Sequence, residues 1–327
     1  MKSLIKLLPS LAIGCLASSS THADTFGSGT DTFTIDFATI GNITDGGDWG
    51  VPFGDRLYTS GFGYVPYFYR MGATEVPQAW ITKATNLGLA NVTGGPWTGN
   101  QPAANITWYE AAAFVNWLNT STGHQAAYDL RWTGSAWTMN LWNNSQAWDT
   151  EPGPLVRLDL YRHKDAYYYL PSQDEWCKTA FKQSTAPNSG FYDYATGSNA
   201  IPSAVLGGTA AGTAVYSFGG QPAAVDNDGG LSPLGTRGQN GNVWEWLETA
   251  DDNSNNVPDE YRAFRGGGFG SSAPSFNAST WQSFFPAYAS ADLGFRVASI
   301  PEPTTGALTL AVGLLGLLRR SRVDRRQ

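Results

Sequence analysis

Apolar positions along the chain fall into a few short periodic runs separated by long polar, glycine-rich stretches. The clearest run lies between Asn105 and Leu118, where Trp108, Ala111, Ala112, Val115 and Leu118 recur at the spacing of one helical face. Thr107 stands where its hydroxyl can accept the N–H three residues on while Glu110 reaches back, the reciprocal pair that starts a helix. Ser172-Gln173-Asp174-Glu175 repeats the device ahead of Trp176, Thr179, Ala180 and Phe181, and predicts the second of two main helices. Strand signals are shorter. Phe33, Ile35 and Phe37 alternate with polar residues between Asp31 and Ala38, as in a half-buried strand, and Tyr64 to Met71 reads as another. Trp132, Trp137, Trp142 and Trp148 fit neither the helical nor the alternating period among their Gly, Ser and Asn neighbours, so short hairpins are expected there. From Ser189 to Gly230 the dominance of Gly, Ala, Ser and Thr predicts an extended loop within the domain, and no repeat of fixed period is present.

The two ends read as addresses. Lys2 and Lys6 precede an apolar run from Leu7 to Ala17, and Thr21-His22-Ala23 supplies a small-x-small cleavage site, so residues 1–23 are expected to be a signal peptide. At the other end Pro301-Glu302-Pro303, an apolar stretch from Thr304 to Leu318 and five arginines from Arg319 onward resemble a PEP-CTERM sorting signal. As a helix that apolar stretch would span ~22 Å, short of the ~30 Å hydrocarbon core, which suits a transient anchor. The resemblance implies an exosortase-type protease cutting near Pro301. Residues 24–300 remain as one domain, and 301–327 as the sorting tail.

The chain carries 20 Lys and Arg against 27 Asp and Glu, and shedding seven cations and two anions with the ends moves the net charge from −7 to −12. Such a body does not suit nucleic-acid phosphates; calcium or a neutral partner suits it better. Cys15 goes with the leader, which leaves Cys177 as the one thiol and rules out an internal disulfide. His124 and His163 are too few for a His-rich metal centre. Cys177, alone on its helix beside Trp176, reads as a small buried apolar residue.

Seven blocks occur in one order: Glu75-Val76, Thr107-Trp108-Tyr109, Leu170-Pro171-Ser172 with Glu175-Trp176, Ser232 to Gly235, Gly241-Asn242-Val243-Trp244-Glu245-Trp246, Arg265-Gly266-Gly267 and Gly294-Phe295-Arg296. Together they resemble the formylglycine-generating enzyme, or sulfatase-modifying factor, domain family. The resemblance implies an α+β fold, C-type-lectin-like, with two main helices, short strands and many ordered loops. Gly72 to Pro77 is similar to the block that opens the family's first helix, with Pro77 in place of the usual Thr.

Catalytic members bind copper through two cysteines whose places fall near Ser271 and Phe276. Neither side chain offers a soft thiolate, so copper is not expected and no catalytic residue is assigned. The resemblance also implies calcium held by the carbonyls of Gly241 and Val243 and the side chain of Glu245, although Gly238 stands where the family usually has Asp or Asn. Glu245 is alternatively a buried carboxylate paired with Arg265 or Arg296. Asp226-Asn227-Asp228 lacks the full spacing of a calcium loop and could equally cap a turn.

The segment from Phe269 to Ala291 lies over the family's concave face. Here Ser271, Ser272, Phe276, Asn277, Trp281, Gln282, Phe284 and Phe285 mix aromatic and small polar residues, as a ligand-binding surface does. The expected function is an exported, non-catalytic module binding a glycan or protein at the cell surface or in the extracellular matrix, with only transient membrane contact through its tail. The alternative is an enzyme of the same family acting through carboxylates such as Glu245, Asp251 and Asp252. Asp251-Asp252 and Asp259-Glu260 also fit a solvated charge cluster.

Overall fold

The computed structural model describes residues 22–41, 62–149, 158–184 and 190–301. Nearly all of the expected signal peptide and sorting tail lie outside them. Along the chain run β1 (His22–Phe26), β2 (Phe33–Ile40), β3 (Tyr69–Gly72), α1 (Gln78–Asn86), α2 (Trp108–Ser121), β4 (Asp129–Trp132), β5 (Trp137–Asn140), β6 (Ala147–Asp149), β7 (Leu158–His163), β8 (Tyr168–Tyr169), α3 (Gln173–Phe181), β9 (Ser203–Val205), β10 (Thr213–Val215), β11 (Trp244–Ala250), β12 (Arg262–Arg265), β13 (Gln282–Phe284), β14 (Leu293–Phe295) and β15 (Ala298–Ser299). This is the mixed α+β class with short strands and long connections that the sequence predicts.

Both helix-start signals are realised. Thr107 accepts from the Glu110 N–H at 3.1 Å while the Glu110 carboxylate takes the Thr107 N–H at 2.9 Å. Ser172 and Glu175 do the same at 3.2 and 2.7 Å. Each cap is worth about 1 kcal/mol. Among the described residues, helix α2 is the longest at 14 residues and α1 and α3 have nine each, so regular helix is spread over three elements rather than two.

Strand β2 buries Phe33, Ile35 and Phe37 in strict alternation, as the sequence pattern requires. The expected strand from Tyr64 is shorter than predicted: its ladder begins only at Tyr69. Pro66, which has no N–H to give, interrupts the preceding run. The four spaced tryptophans fall on or beside two hairpins, β4 with β5 and β6 with β7. The long loop contains a small parallel pair, β9 with β10.

Two larger sheets organise the core. One has the order β1-β2-β3-β15-β8 and the other β13-β12-β11-β14. In the second, β11 pairs antiparallel with β12 and parallel with β14, bringing Glu245 opposite both Arg265 and Gly294. Three motif blocks separated in sequence thus become adjacent strands. Every residue of β11 is buried. Trp246 and Trp108 lock this sheet to α2 from both sides: the Trp246 indole donates to the Ile106 carbonyl and the Trp108 indole to the Leu247 carbonyl, each at 2.9 Å. Gly241 sits at φ +89°, and a Cβ there would lie 2.1 Å from the Val215 carbonyl oxygen, so only glycine lets the long loop cross the start of β11.

Candidate functional site

Three carboxylates and two guanidiniums collect where β11, β14 and the loop before β11 meet. Glu245 and Arg296 are both fully buried and pair in a fork, Nε to Oε2 at 2.5 Å and Nη2 to Oε1 at 2.6 Å. The Trp176 indole adds a third bond to Glu245 Oε2 at 2.8 Å. The remaining Arg296 donors go to the carbonyls of Gly72 and Arg237. The expected calcium set of Gly241, Val243 and Glu245 therefore does not fit. Both Glu245 oxygens already face a guanidinium, which would repel a metal ion held by the same atoms. Of the two arginines the sequence left open, Arg296 is the partner. Arg265, its cross-strand neighbour, instead donates to the carbonyls of Ala278 and Thr280.

Glu75 lies beside this pair, also fully buried, and holds the next turn of the motif: its carboxylate accepts from the Asn242 amide at 2.6 Å and from the Val243 N–H at 3.2 Å. Burial, with Asp228 and Glu245 adding repulsion, holds its carboxyl well above the usual range. Asp228 is only 1% exposed, and neither of its carboxylate oxygens has a hydrogen-bond partner. Burial pushes its pKa up to about 8 against the opposing pull of Arg237 and Arg296. The sequence reading left Asp226 to Asp228 between an incomplete calcium loop and a turn cap; the buried, unpartnered Asp228 carboxylate is what it missed. No local pattern marks it, because the burial comes from the Gly238 loop folding over it.

The eight residues expected to form a ligand surface divide into distinct settings. Phe276 is a correction: it is 1% exposed and packs against Tyr216 and Tyr194, with ring centroids 4.7 and 5.9 Å away. It fills a satellite core because Gly267, at φ +73°, lets the chain fold onto its ring. Ser271 is spent locally, accepting the Gly268 N–H at 2.9 Å, and Ser272 precedes a single 3-10 turn. Asn277 holds the Ser279 backbone and hydroxyl. Trp281 is half-buried, edge-on to Phe62 at 6.3 Å. Ser272, Gln282, Phe284 and Phe285 are exposed, the last three along or just beyond β13.

There the structure adds partners. Tyr261 stacks on Phe284 at 5.9 Å and 22°, Phe284 meets Phe285 at 4.6 Å and Tyr288 at 4.2 Å. Tyr261, Phe284 and Phe285 remain 48%, 37% and 42% exposed. Four rings thus form one open aromatic cluster at the edge strand of the second sheet. Tyr261 was not a sequence candidate. It joins because β12 and β13 pair with Arg262 opposite Phe284, a register that only the folded sheet reveals. Next to it, Asp259 accepts from the Tyr109 hydroxyl at 3.0 Å and Glu260 from the Tyr161 hydroxyl at 3.3 Å. Asp251 and Asp252 are exposed on the neighbouring turn.

Cys177 is fully buried beside Trp176, Ala180, Ala263 and Ala278, with Trp281 packed against the same cluster. Burial pushes its thiol up to about 12. Among the described residues no group of three or more His, Cys, Asp or Glu side chains converges as metal ligands.

Residues 91–300 match the family described as sulfatase-modifying factor enzyme 1-like domain. No curated protein matches the sequence. Among solved structures, the chain is similar to Treponema denticola variable protein 1, at 19% identity and a TM-score of 0.54, covering 85% of this chain and 99% of that one. It is also similar to CarF, at 20% identity and 0.49 over 72% and 87%, and to PvdO from Pseudomonas aeruginosa, at 14% and 0.49 over 85% and 98%. At 19% identity the likeness to the Treponema denticola protein concerns the fold alone.

Proposed function

Because the chain belongs to the sulfatase-modifying factor enzyme 1-like domain family, we propose that it keeps the family's scaffold as a non-catalytic binding module, exported and sorted to the cell envelope by its two ends. The observation that carries this reading is the open cluster of Tyr261, Phe284, Phe285 and Tyr288 on an edge strand. Burying so much aromatic surface would be the cheaper arrangement for a lone domain, and exposed rings in contact with one another suit stacking on a ligand. Asp259 and Glu260 lie immediately before Tyr261 in sequence. Ring faces next to carboxylate acceptors match the chemistry of a glycan, whose C–H faces stack while its hydroxyls donate.

The oxidase reaction of the family has no sulfur to use at the expected places. Ser271 and Phe276 stand there, and Cys177, the one cysteine among the described residues, is buried with its thiol pushed up to about 12. Calcium at Gly241, Val243 and Glu245 is not part of this reading, given the Arg296 fork.

The test is an array of glycans and peptides probed with the purified protein, run beside a copper-uptake and peptide-oxidation assay. Saturable retention of a glycan without conversion of a sulfatase peptide supports the proposal. Stoichiometric Cu(I) uptake, or formylglycine in the peptide, defeats it.

A further inference from the structure

The open rings are rimmed by more negative charge than a neutral sugar needs. Asp259 and Glu260 precede Tyr261 in the chain, and the Asp251 N–H donates to the Tyr261 carbonyl at 2.9 Å. That bond extends the ladder in which Ala250 faces Arg262, so Asp251 stands opposite Tyr261 at the strand end, with Asp252 next to it. Asp251, Asp252 and Asp259 are exposed and Glu260 is half-buried. Among the described residues, none of the four pairs with a lysine or arginine. Arg262, beside them in sequence, is fully buried: its guanidinium lies 3.9 Å over the Tyr161 ring and 4.6 Å over Trp108, and it donates to the carbonyls of Pro258 and Glu260.

Like charges so placed repel one another. Burial, and then the charge of Asp252, raise the Glu260 carboxyl above its usual range. A positive group brought to this rim relieves that repulsion, whereas a neutral hydroxyl does not. Asp259 and Glu260 each accept one hydroxyl, from Tyr109 and Tyr161, and keep further lone pairs to offer. The rings act in the same sense, because an ammonium close to an aromatic face is attracted by the ring quadrupole.

Amines reach such a surface on a basic peptide or on an amino sugar, and the geometry separates the two. A lysine carries its amine on a flexible stem whose freedom is lost on binding, and a peptide adding to the sheet would find only three residues of ladder in β13. Tyr261 and Phe284, 22° from parallel, present a flat platform instead. In an amino sugar the amine is fixed to the ring that stacks, so ordering one group makes both contacts. Resting on the reading of these rings as a glycan platform, we propose that the ligand is an amino-sugar glycan with free, protonated amines. Its sugar ring stacks on Tyr261 and Phe284, and its ammonium lies among Asp251, Asp252, Asp259 and Glu260.

The experiment is calorimetric titration of the purified protein at about pH 6 with glucosamine hexamer, its N-acetylated counterpart of the same linkage and hexalysine, in about 50 mM and about 500 mM salt. Wild type is expected to bind the glucosamine hexamer at least about fivefold more tightly than the acetylated one at low salt, through exposed ion pairs and a cation–π contact, and to lose most of that preference at high salt. Asp251→Asn with Asp252→Asn should cut the preference to within about twofold. Both positions are exposed, and an amide at 252 can still accept the Ser254 N–H, so the turn is kept. Equal or tighter binding of the acetylated hexamer, no saturable binding of the glucosamine hexamer, a preference unchanged in the variant, or hexalysine bound as tightly as the sugar overturns the inference. The ring reading is scored apart from it. An acetylated hexamer that binds equally well, and is lost in Tyr261→Ala with Phe284→Ala, leaves the platform standing without the charge preference; a glucosamine hexamer held alike by wild type and that ring variant defeats the platform itself.

Discussion

Replacing Glu245 by Gln tests the buried fork most sharply. In wild type the two Glu245 oxygens receive three donors, two from Arg296 and one from Trp176, with both charged partners wholly shielded from water. A glutamine keeps one acceptor but turns an amide N–H₂ toward the guanidinium, leaving the arginine charge buried without its counter-ion. Breaking one side of such a pair costs about 3–5 kcal/mol. Arg296→Met should cost at least as much, because it strands Glu245 and also frees the carbonyls of Gly72 and Arg237. In the double variant Glu245→Leu with Arg296→Met no charge is stranded, so part of the loss should return, while the two freed carbonyls and the Trp176 indole N–H, which loses its acceptor, keep the variant below wild type. Urea unfolding followed by tryptophan fluorescence, in chelator and again with added calcium, measures all three. A Glu245→Gln loss below about 1 kcal/mol, or one that develops only when calcium is added, would show that Glu245 serves a metal and that the fork is misread.

Phe276→Ala should destabilise by about 3–5 kcal/mol in the same assay, as expected for an aromatic side chain removed from a closed core, while ligand retention per folded molecule stays constant. Thr107→Ala should cost about 1 kcal/mol through loss of the α2 cap, read as a lower urea midpoint at constant slope. Cys177 should resist alkylation at pH 8 in the native protein and react at the rate of an ordinary thiol in denaturant, as followed by mass spectrometry; burial keeps it protonated. His163 has its pKa lowered, chiefly by burial, and its Nδ1 accepts the Asp165 N–H at 3.1 Å. The neutral ring is the one that fits, so its contribution is present above the unfolded value of ~6.5 and is lost as pH falls through the folded value. Urea midpoints at pH 7.5 and pH 5 should therefore differ more for wild type than for His163→Gln.

Much of the scaffold is legible in the chain because local rules and tertiary packing agree. The Thr107 and Ser172 caps, the alternating face of β2 and the tryptophan hairpins each follow from a pattern within a dozen residues. The motif blocks are legible too, since β11, β12 and β14 carry them as adjacent strands. What escaped depends on contacts between segments far apart. Asp228 looks like a turn residue until the Gly238 loop covers it, and Tyr261 gains its role only when β12 and β13 pair in register. Phe276 failed in the opposite direction: aromatic composition marks both cores and binding surfaces, and only the left-handed Gly267 decides that this ring folds inward.

The central claim, that the edge-strand rings are the ligand surface, is tested most directly by the calorimetric affinity of wild type and of a Tyr261→Ala, Phe284→Ala variant for the glycan selected on the array. Losing two stacking rings at about 0.5–1.5 kcal/mol each predicts a fall in affinity of roughly five- to 150-fold, with a smaller drop in melting temperature than Phe276→Ala causes, because Tyr261 and Phe284 are partly exposed. Equal affinities in the two proteins would contradict the account.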